Sequence, residues 1–196
     1  MQTAIYRLAN WLDPLDWATV FDRPQPVEID IGCGKGSFLL WAAQARPEHN
    51  FVGVERQLVR LRKVDKKIQR LGLLNVKLMR IEASYFVSKL VPSGSVSAYH
   101  IYFPDPWPKR RHHSRRLFDA TFAGELHRTL TRGGAVNIAS DDSDYFARIR
   151  AVMGESRLFV AKPPEALPPE ARTEFENVFL GQGKLIHRTR FVCAVF

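Results

Sequence analysis

The chain has 196 residues, of which 45% are apolar and 25% charged, with two cysteines and a formal net charge of +9. These values exclude a disulfide-built secreted module and a disordered tail. The longest apolar run, 38–43, is far too short to cross a bilayer, so a cytoplasmic globular protein folding as one domain over 1–196 is expected.

A short N-terminal extension, 1–26, precedes the first apolar run. Strands are predicted at Val27–Ile31, Asn50–Glu55, Val76–Ile81, Val96–Tyr102, Ala135–Ser140, Leu158–Ala161 and Leu185–Val195. Helices are predicted at Ser37–Ala45, Leu58–Leu71, Ser84–Leu90, Arg115–Leu130 and Ser143–Met153, with a surface loop of four prolines over 162–173. Short strands alternating with amphipathic stretches indicate an α/β fold with a mainly parallel sheet. No internal repeat, low-complexity tract or linker interrupts it.

Charge is distributed unevenly. Residues 56–70 carry seven cations against Asp65 alone, residues 109–116 carry five more, and the remainder of the chain sums to −2. In the 58–71 stretch, Leu58, Leu61, Val64, Ile68 and Leu71 form a helical apolar stripe, while Arg56, Arg60, Lys63, Lys67 and Arg70 gather on another face. A row of cations is ordinarily a solvated helix face; a second basic cluster makes a nucleic-acid footprint the stronger reading. An anionic membrane surface is disfavoured, because the apolar stripe is needed for a core.

Val27–Ile31 runs into Gly32-Cys33-Gly34-Lys35-Gly36-Ser37, a strand, a glycine-rich turn and a helix start, which is a place where a ligand can approach backbone N–H groups. A phosphate-binding loop needs Ser or Thr after its lysine, and Gly36 stands there. The dinucleotide fingerprint needs glycine where Ser37 stands. The arrangement Asp30-x-Gly32-x-Gly34-x-Gly36 instead resembles the first motif of Rossmann-like S-adenosylmethionine-dependent methyltransferases. Glu55, ending the second strand, suits ribose hydroxyls, and Glu82, after the third, suits adenine. Asp30 suits the cofactor's ammonium group.

The segment Phe103-Pro104-Asp105-Pro106-Trp107-Pro108-Lys109, followed by Arg-Arg-His-His-Ser-Arg-Arg, is the most informative in the chain. Flanking prolines stiffen the mount of Asp105, and five cations downstream suit a polyphosphate partner. Together with Ala139-Ser140-Asp141 and Thr173-Glu174-Phe175-Glu176, this segment resembles the bacterial tRNA (guanine-N7-)-methyltransferases. The likeness runs over about 27–191. Two departures are visible: Glu82 stands where the family usually has Asp, and family members often begin with a longer basic arm.

The resemblance implies a class I methyltransferase with a mostly parallel seven-stranded sheet and helices on both faces. It implies methyl transfer from S-adenosyl-L-methionine to N7 of guanosine 46 in the tRNA variable loop. It places Asp30, Gly32, Gly34, Gly36, Glu55, Glu82 and Asp105 on the cofactor side, with Asp105 catalytic. Lys109, Asp141, Thr173, Glu174, Phe175 and Glu176 fall on the tRNA side, and no metal, membrane or protein partner is required.

Guanine N7 carries a free lone pair at neutral pH, so alignment and stabilisation of a cationic purine are the tasks, and Asp105 is suited to them. Asp105, Asp141 and Glu176 are each candidates for the donor-rich Watson–Crick edge. Trp107 and Tyr102 are candidates for base stacking, against the commoner role of packing. His112 and His113 suit phosphate or solvent contact, His100 a structural role, and Cys33 a small turn position. Two other readings stay open: a non-catalytic RNA-binding module on the same fold, and a methyltransferase acting on a guanine elsewhere, such as in ribosomal RNA.

Overall fold

The computed structural model describes residues 3–155 and 157–194. Its seven strands are β1 (Val27–Ile31), β2 (Asn50–Val54), β3 (Val76–Met79), β4 (Val96–Tyr102), β5 (Leu130–Ser140), β6 (Phe159–Lys162) and β7 (His187–Cys193). They form one sheet in the order β3-β2-β1-β4-β5-β7-β6. β7 runs antiparallel to both neighbours; the other pairs are parallel. The helices are α1 (Trp17–Val20), α2 (Ser37–Ala45), α3 (Leu58–Leu71), α4 (Ala83–Tyr85), α5 (Ala120–Thr129), α6 (Ser143–Glu155) and α7 (Glu174–Gly181).

Side-chain alternation along the strands divides the core in two. Val27, Ile29 and Ile31 of β1 point into a cluster with Phe86, Leu126, Tyr145 and Ile149, which covers one face with α4–α6. Phe51, Val76 and Leu78 meet Phe38 and Leu39 of α2 and Leu61, Val64 and Ile68 of α3 on the other. Each such buried side chain is worth about 1.5–3 kcal/mol relative to exposure. The stripe predicted for α3 is narrower than its spacing suggests: Leu71 is 42% exposed, whereas Asp65 is buried.

Asp65 explains itself through the N-terminal segment. Its carboxylate accepts the Ala4 N–H (2.7 Å) and the Thr3 hydroxyl (3.0 Å). Residues 4–6 lie parallel to β3, with Ile5 bridging Leu78, and satisfy an edge that would otherwise expose unpaired backbone. The extension is therefore tied to the domain at residues 3–6.

Several predicted boundaries move. The helix expected over Arg115–Leu130 begins only at Ala120, because Asp119 caps it by accepting the Phe122 N–H (2.7 Å); Arg110–Arg115 is a short 3-10 turn instead. β5 starts at Leu130, five residues early, where Leu130 pairs with Val96 across a register shift. β2 and β3 stop at Val54 and Met79, leaving Glu55 and Ile81 just beyond them. The Ser84–Leu90 helix is α4 continued by a π turn, Phe86–Leu90. β6 lies one residue later than expected, and β7 is shorter, with Val195 outside the described residues. The proline-rich loop contains a 3-10 turn, Pro169–Ala171, and its first residue, Lys162, ends β6. Neither α1 nor α7 is among the predicted helices, although Thr173-x-x-Glu176 is a capping-box spacing and Thr173 does cap α7.

Candidate active site

The glycine turn is built by hydrogen bonds across the strand ends. Gly32 and Cys33 N–H both donate to the Val54 carbonyl (2.9 and 3.0 Å), and Gly36 N–H donates to Cys33 (2.8 Å). Gly36 has φ +75°, and a Cβ on it would meet Val64 of α3 at 2.7 Å. Only glycine lets α3 pack that close to the turn.

The turn forms one wall of a cleft into which Asp30, Lys35, Arg60, Tyr102, Thr173, Glu174 and Phe175 also project. Asp30 is 4% exposed and has no hydrogen-bond partner among the described residues. Burial, and after it the charge of Glu55, pushes its carboxyl up to about 8. A lone buried carboxyl beside a glycine cradle suits a cationic ligand, whose charge would compensate the ionised form. This fits the ammonium and sulfonium groups of S-adenosylmethionine. Glu55 is buried just past β2 and does not line the cleft; it accepts the Gln57 N–H (2.8 Å) and an N–H of Arg60, which does line it (3.4 Å). Glu82 is exposed and outside the cleft lining; its two oxygens take the Ser84 and Tyr85 N–H groups and cap α4.

β4 pairs parallel with β1 and, past a register shift after Val27, sets Asp30 opposite His100, so the loop after β4 emerges beside the cleft. That loop is strained twice: Phe103 has φ +55° and Trp107 φ +44°. Left-handed backbone at such residues costs about 1–3 kcal/mol each and persists where surroundings hold it. Phe103 N–H donates to Ala139 (2.8 Å), and its ring packs 5.6 Å from Phe179. Asp105, between the two strained residues, is exposed.

Downstream, the basic run does not simply extend into solvent. Arg115 lies over the Trp107 ring (5.1 Å), His112 meets that ring edge-on (5.7 Å), and Arg116 Nε–H donates to the Pro106 carbonyl (2.7 Å). Lys109, Arg110, Arg111 and His113 are exposed. His100 is buried and its Nε2–H donates to the Glu28 carboxylate (2.7 Å), in keeping with a structural role; Glu28 is held also by Arg46 and His49. Burial pushes the Cys33 thiol far above its ordinary range, which makes it a poor nucleophile.

Of the remaining candidates, Thr173, Glu174 and Phe175 line the cleft, and the three acids Asp141, Glu174 and Glu176 each have a cation against them. Asp141 accepts from Lys184 (2.6 Å), Glu174 pairs with Lys35 of the glycine turn, and buried Glu176 pairs with Arg188 (2.5 Å). Phe175 is 47% exposed. Lys35, Lys184 and Arg188 are not among the site residues that the sequence points to, and Arg116 reads there only as one of five cations suited to phosphate. No local pattern marks them, since each partner is distant along the chain. Among the described residues no group of His, Cys, Asp and Glu could hold a metal ion, and no helix is long and apolar enough to cross a membrane.

Sheet order, the reversed β7 and a glycine turn beside a lone acid are those of the class I methyltransferase fold. The fold is similar to that of a solved 16S rRNA methyltransferase, KamB, with a TM-score of 0.68 at 13% identity over 100% of this chain and 99% of that one. Residues 24–189 match the family model described as "Putative methyltransferase". A tRNA (guanine-N(7)-)-methyltransferase of Rubrobacter xylanophilus is 31% identical over 96% of this chain and 86% of its own length. One from Thermotoga maritima is 36% identical over 87% of this chain. The chain belongs to the tRNA (guanine-N(7)-)-methyltransferase family. It spans 55% of the length of the Thermotoga protein.

Proposed function

We propose that this chain methylates N7 of guanosine 46 in the tRNA variable loop, giving 7-methylguanosine, with S-adenosylmethionine as methyl donor. The observation that carries the reading is the parallel pairing of β1 with β4, which brings two acid-bearing strand ends to one edge of the sheet. Asp30 at the end of β1 is buried and waits for a cation, while Asp105 after β4 is exposed on a braced turn. Family membership names the reaction to which such a pair is suited.

When bound, S-adenosylmethionine supplies an electrophilic methyl group on a sulfonium centre. Asp30 and Glu55 would hold its amino-acid and ribose ends. The base brings its own nucleophile, because N7 is unprotonated at neutral pH, so no side chain need remove a proton before attack. Positive charge grows on the purine as N7 reacts, and a carboxylate already fixed nearby stabilises it without reorganising. We assign that task to Asp105. Asp141 and Glu176 are each neutralised by a cation, so Asp105 is also the acid most available to a guanine edge. The exposed cations of 109–113 and of α3 are suited to tRNA phosphates.

The test uses labelled S-adenosylmethionine and two tRNAs, one with guanosine and one with 7-deazaguanosine at position 46. Label is expected in 7-methylguanosine from the first and absent from the second, because carbon replaces the reacting nitrogen. Equal labelling of both would overturn N7 of this nucleotide as the acceptor. RNA binding with no labelling of either would favour a non-catalytic module.

A further inference from the structure

Arg116 reads in the sequence as one more phosphate-binding cation, but the structure uses it differently. Its Nε–H donates to the carbonyl of Pro106, the residue immediately after Asp105, at 2.7 Å. Its guanidinium lies 4.9 Å from the centre of the Tyr145 ring. Tyr145 is fully buried on α6, with its N–H bonded to Asp142 (2.8 Å) and its hydroxyl accepting the Phe118 N–H (3.3 Å). A flexible side chain is thus clamped between a rigid aromatic platform and one backbone carbonyl. That carbonyl belongs to a turn with left-handed backbone at Phe103 and Trp107. Such strain persists only while surrounding contacts oppose relaxation, and the arginine contact is the one made nearest to Asp105.

We propose that Arg116 is a positioning residue, which fixes the Asp105 carboxylate by tethering the Pro106 carbonyl to the Tyr145 platform, and not a phosphate contact. The proposal rests on the reading of Asp105 as the carboxylate at the reacting centre. Lysine would keep the charge but supplies neither a planar face for the ring nor a donor in the fork geometry of a guanidinium. Small misplacement of a positioned group costs as much as about 100-fold in rate.

The experiment compares wild type, Arg116→Lys, Asp105→Asn and the double variant, measuring kcat, KM for tRNA, tRNA affinity across a salt series, and thermal midpoint. R116K is expected to lower kcat about 10–100-fold while tRNA affinity, its salt slope and the midpoint hold. In the D105N background it is expected to add nothing, because it acts through that carboxylate. Wild-type kcat in R116K, or the same loss in both backgrounds, would overturn the proposal while leaving Asp105 in place. Weaker tRNA binding with a salt slope reduced by about one and normal kcat would make Arg116 a phosphate contact and overturn it too. Full activity of D105N would instead defeat the reading of Asp105, and the proposal with it. A readout independent of activity is the 19F resonance of Trp107 in 5-fluorotryptophan-labelled protein, identified by Trp107→Phe. R116K must shift or broaden it, and an unchanged resonance would show that no tether exists.

Discussion

The two halves of the cleft are made differently. On the side of β1 and β2, the groups come directly off strand ends within 26 residues, Asp30 to Glu55, and the key acid is buried without a partner. On the side of β4, β5 and α7, the groups come from loops and a helix spread over 72 residues, Asp105 to Glu176, and three of the acids are already paired with cations. The first half is shaped for a small cationic ligand that compensates a buried charge. The second is charge-balanced beforehand, so a large polyanion meets it without exposing uncompensated acids to phosphate. The exception is Asp105, which is exposed and outside those pairs, as its proposed role beside a reacting base requires.

The largest expected effect would break the comparison at that exception. Asp105→Ala should lower kcat by about 100-fold or more, the loss typical of one preorganised charge-stabilising group. S-adenosylmethionine affinity by calorimetry should stay within about threefold, since the residue serves the substrate half. A larger loss of cofactor affinity would assign Asp105 to the first half as well.

Next comes the protonation of Asp30. With its carboxyl near 8, the ligand-free protein carries a proton there at pH 7, whereas a bound cation favours the carboxylate. Cofactor binding should therefore release a proton, and affinity should rise up to tenfold per pH unit from about 6 toward 8. Calorimetry in buffers of different ionisation enthalpy counts that proton, and Asp30→Asn should abolish it. The sign for stability is opposite. The folded protein holds a proton that the unfolded chain loses near pH 4, so ligand-free stability should fall as pH rises from about 4 to about 8 and level off above. Urea midpoints across that window, flatter in Asp30→Asn, check it.

The smallest effect tests how far tRNA reaches across the cofactor half. Neutralising Lys63, Lys67 and Arg70 of α3 together should weaken tRNA binding and reduce the salt slope by somewhat under one unit for each phosphate left without its cation. An unchanged slope would confine tRNA to the second half. Lys67 is the least free of the three, because its ammonium donates to the Lys35 carbonyl (3.0 Å).

Two basic stretches that look equivalent in the sequence part company in the structure for a related reason. The face of α3 follows from helical periodicity alone, and its cations do lie outside the core. The 109–116 run has no such periodicity to read. Its last two arginines turn back onto Trp107 and Pro106, since a ring and an open carbonyl lie within reach once β4, α5 and α6 have packed.

The features legible without the structure are local ones. Strand β1, the helix limits of α2 and α3, the glycine turn and the stiff mount of Asp105 follow from apolar spacing and from the conformational limits of glycine and proline, which act over a few residues. Asp30 and Asp105 are legible for the same reason: each is marked by its immediate neighbours. Packing of distant segments settled the rest. It drew Asp65 inside to hold the N-terminal segment, set Glu82 as a helix cap, and joined Glu174 to Lys35, Asp141 to Lys184 and Glu176 to Arg188. It also turned Arg116 from a surface cation into a clamp. Charges choose partners by distance in space, and where the partner lies far along the chain, no local pattern records the choice.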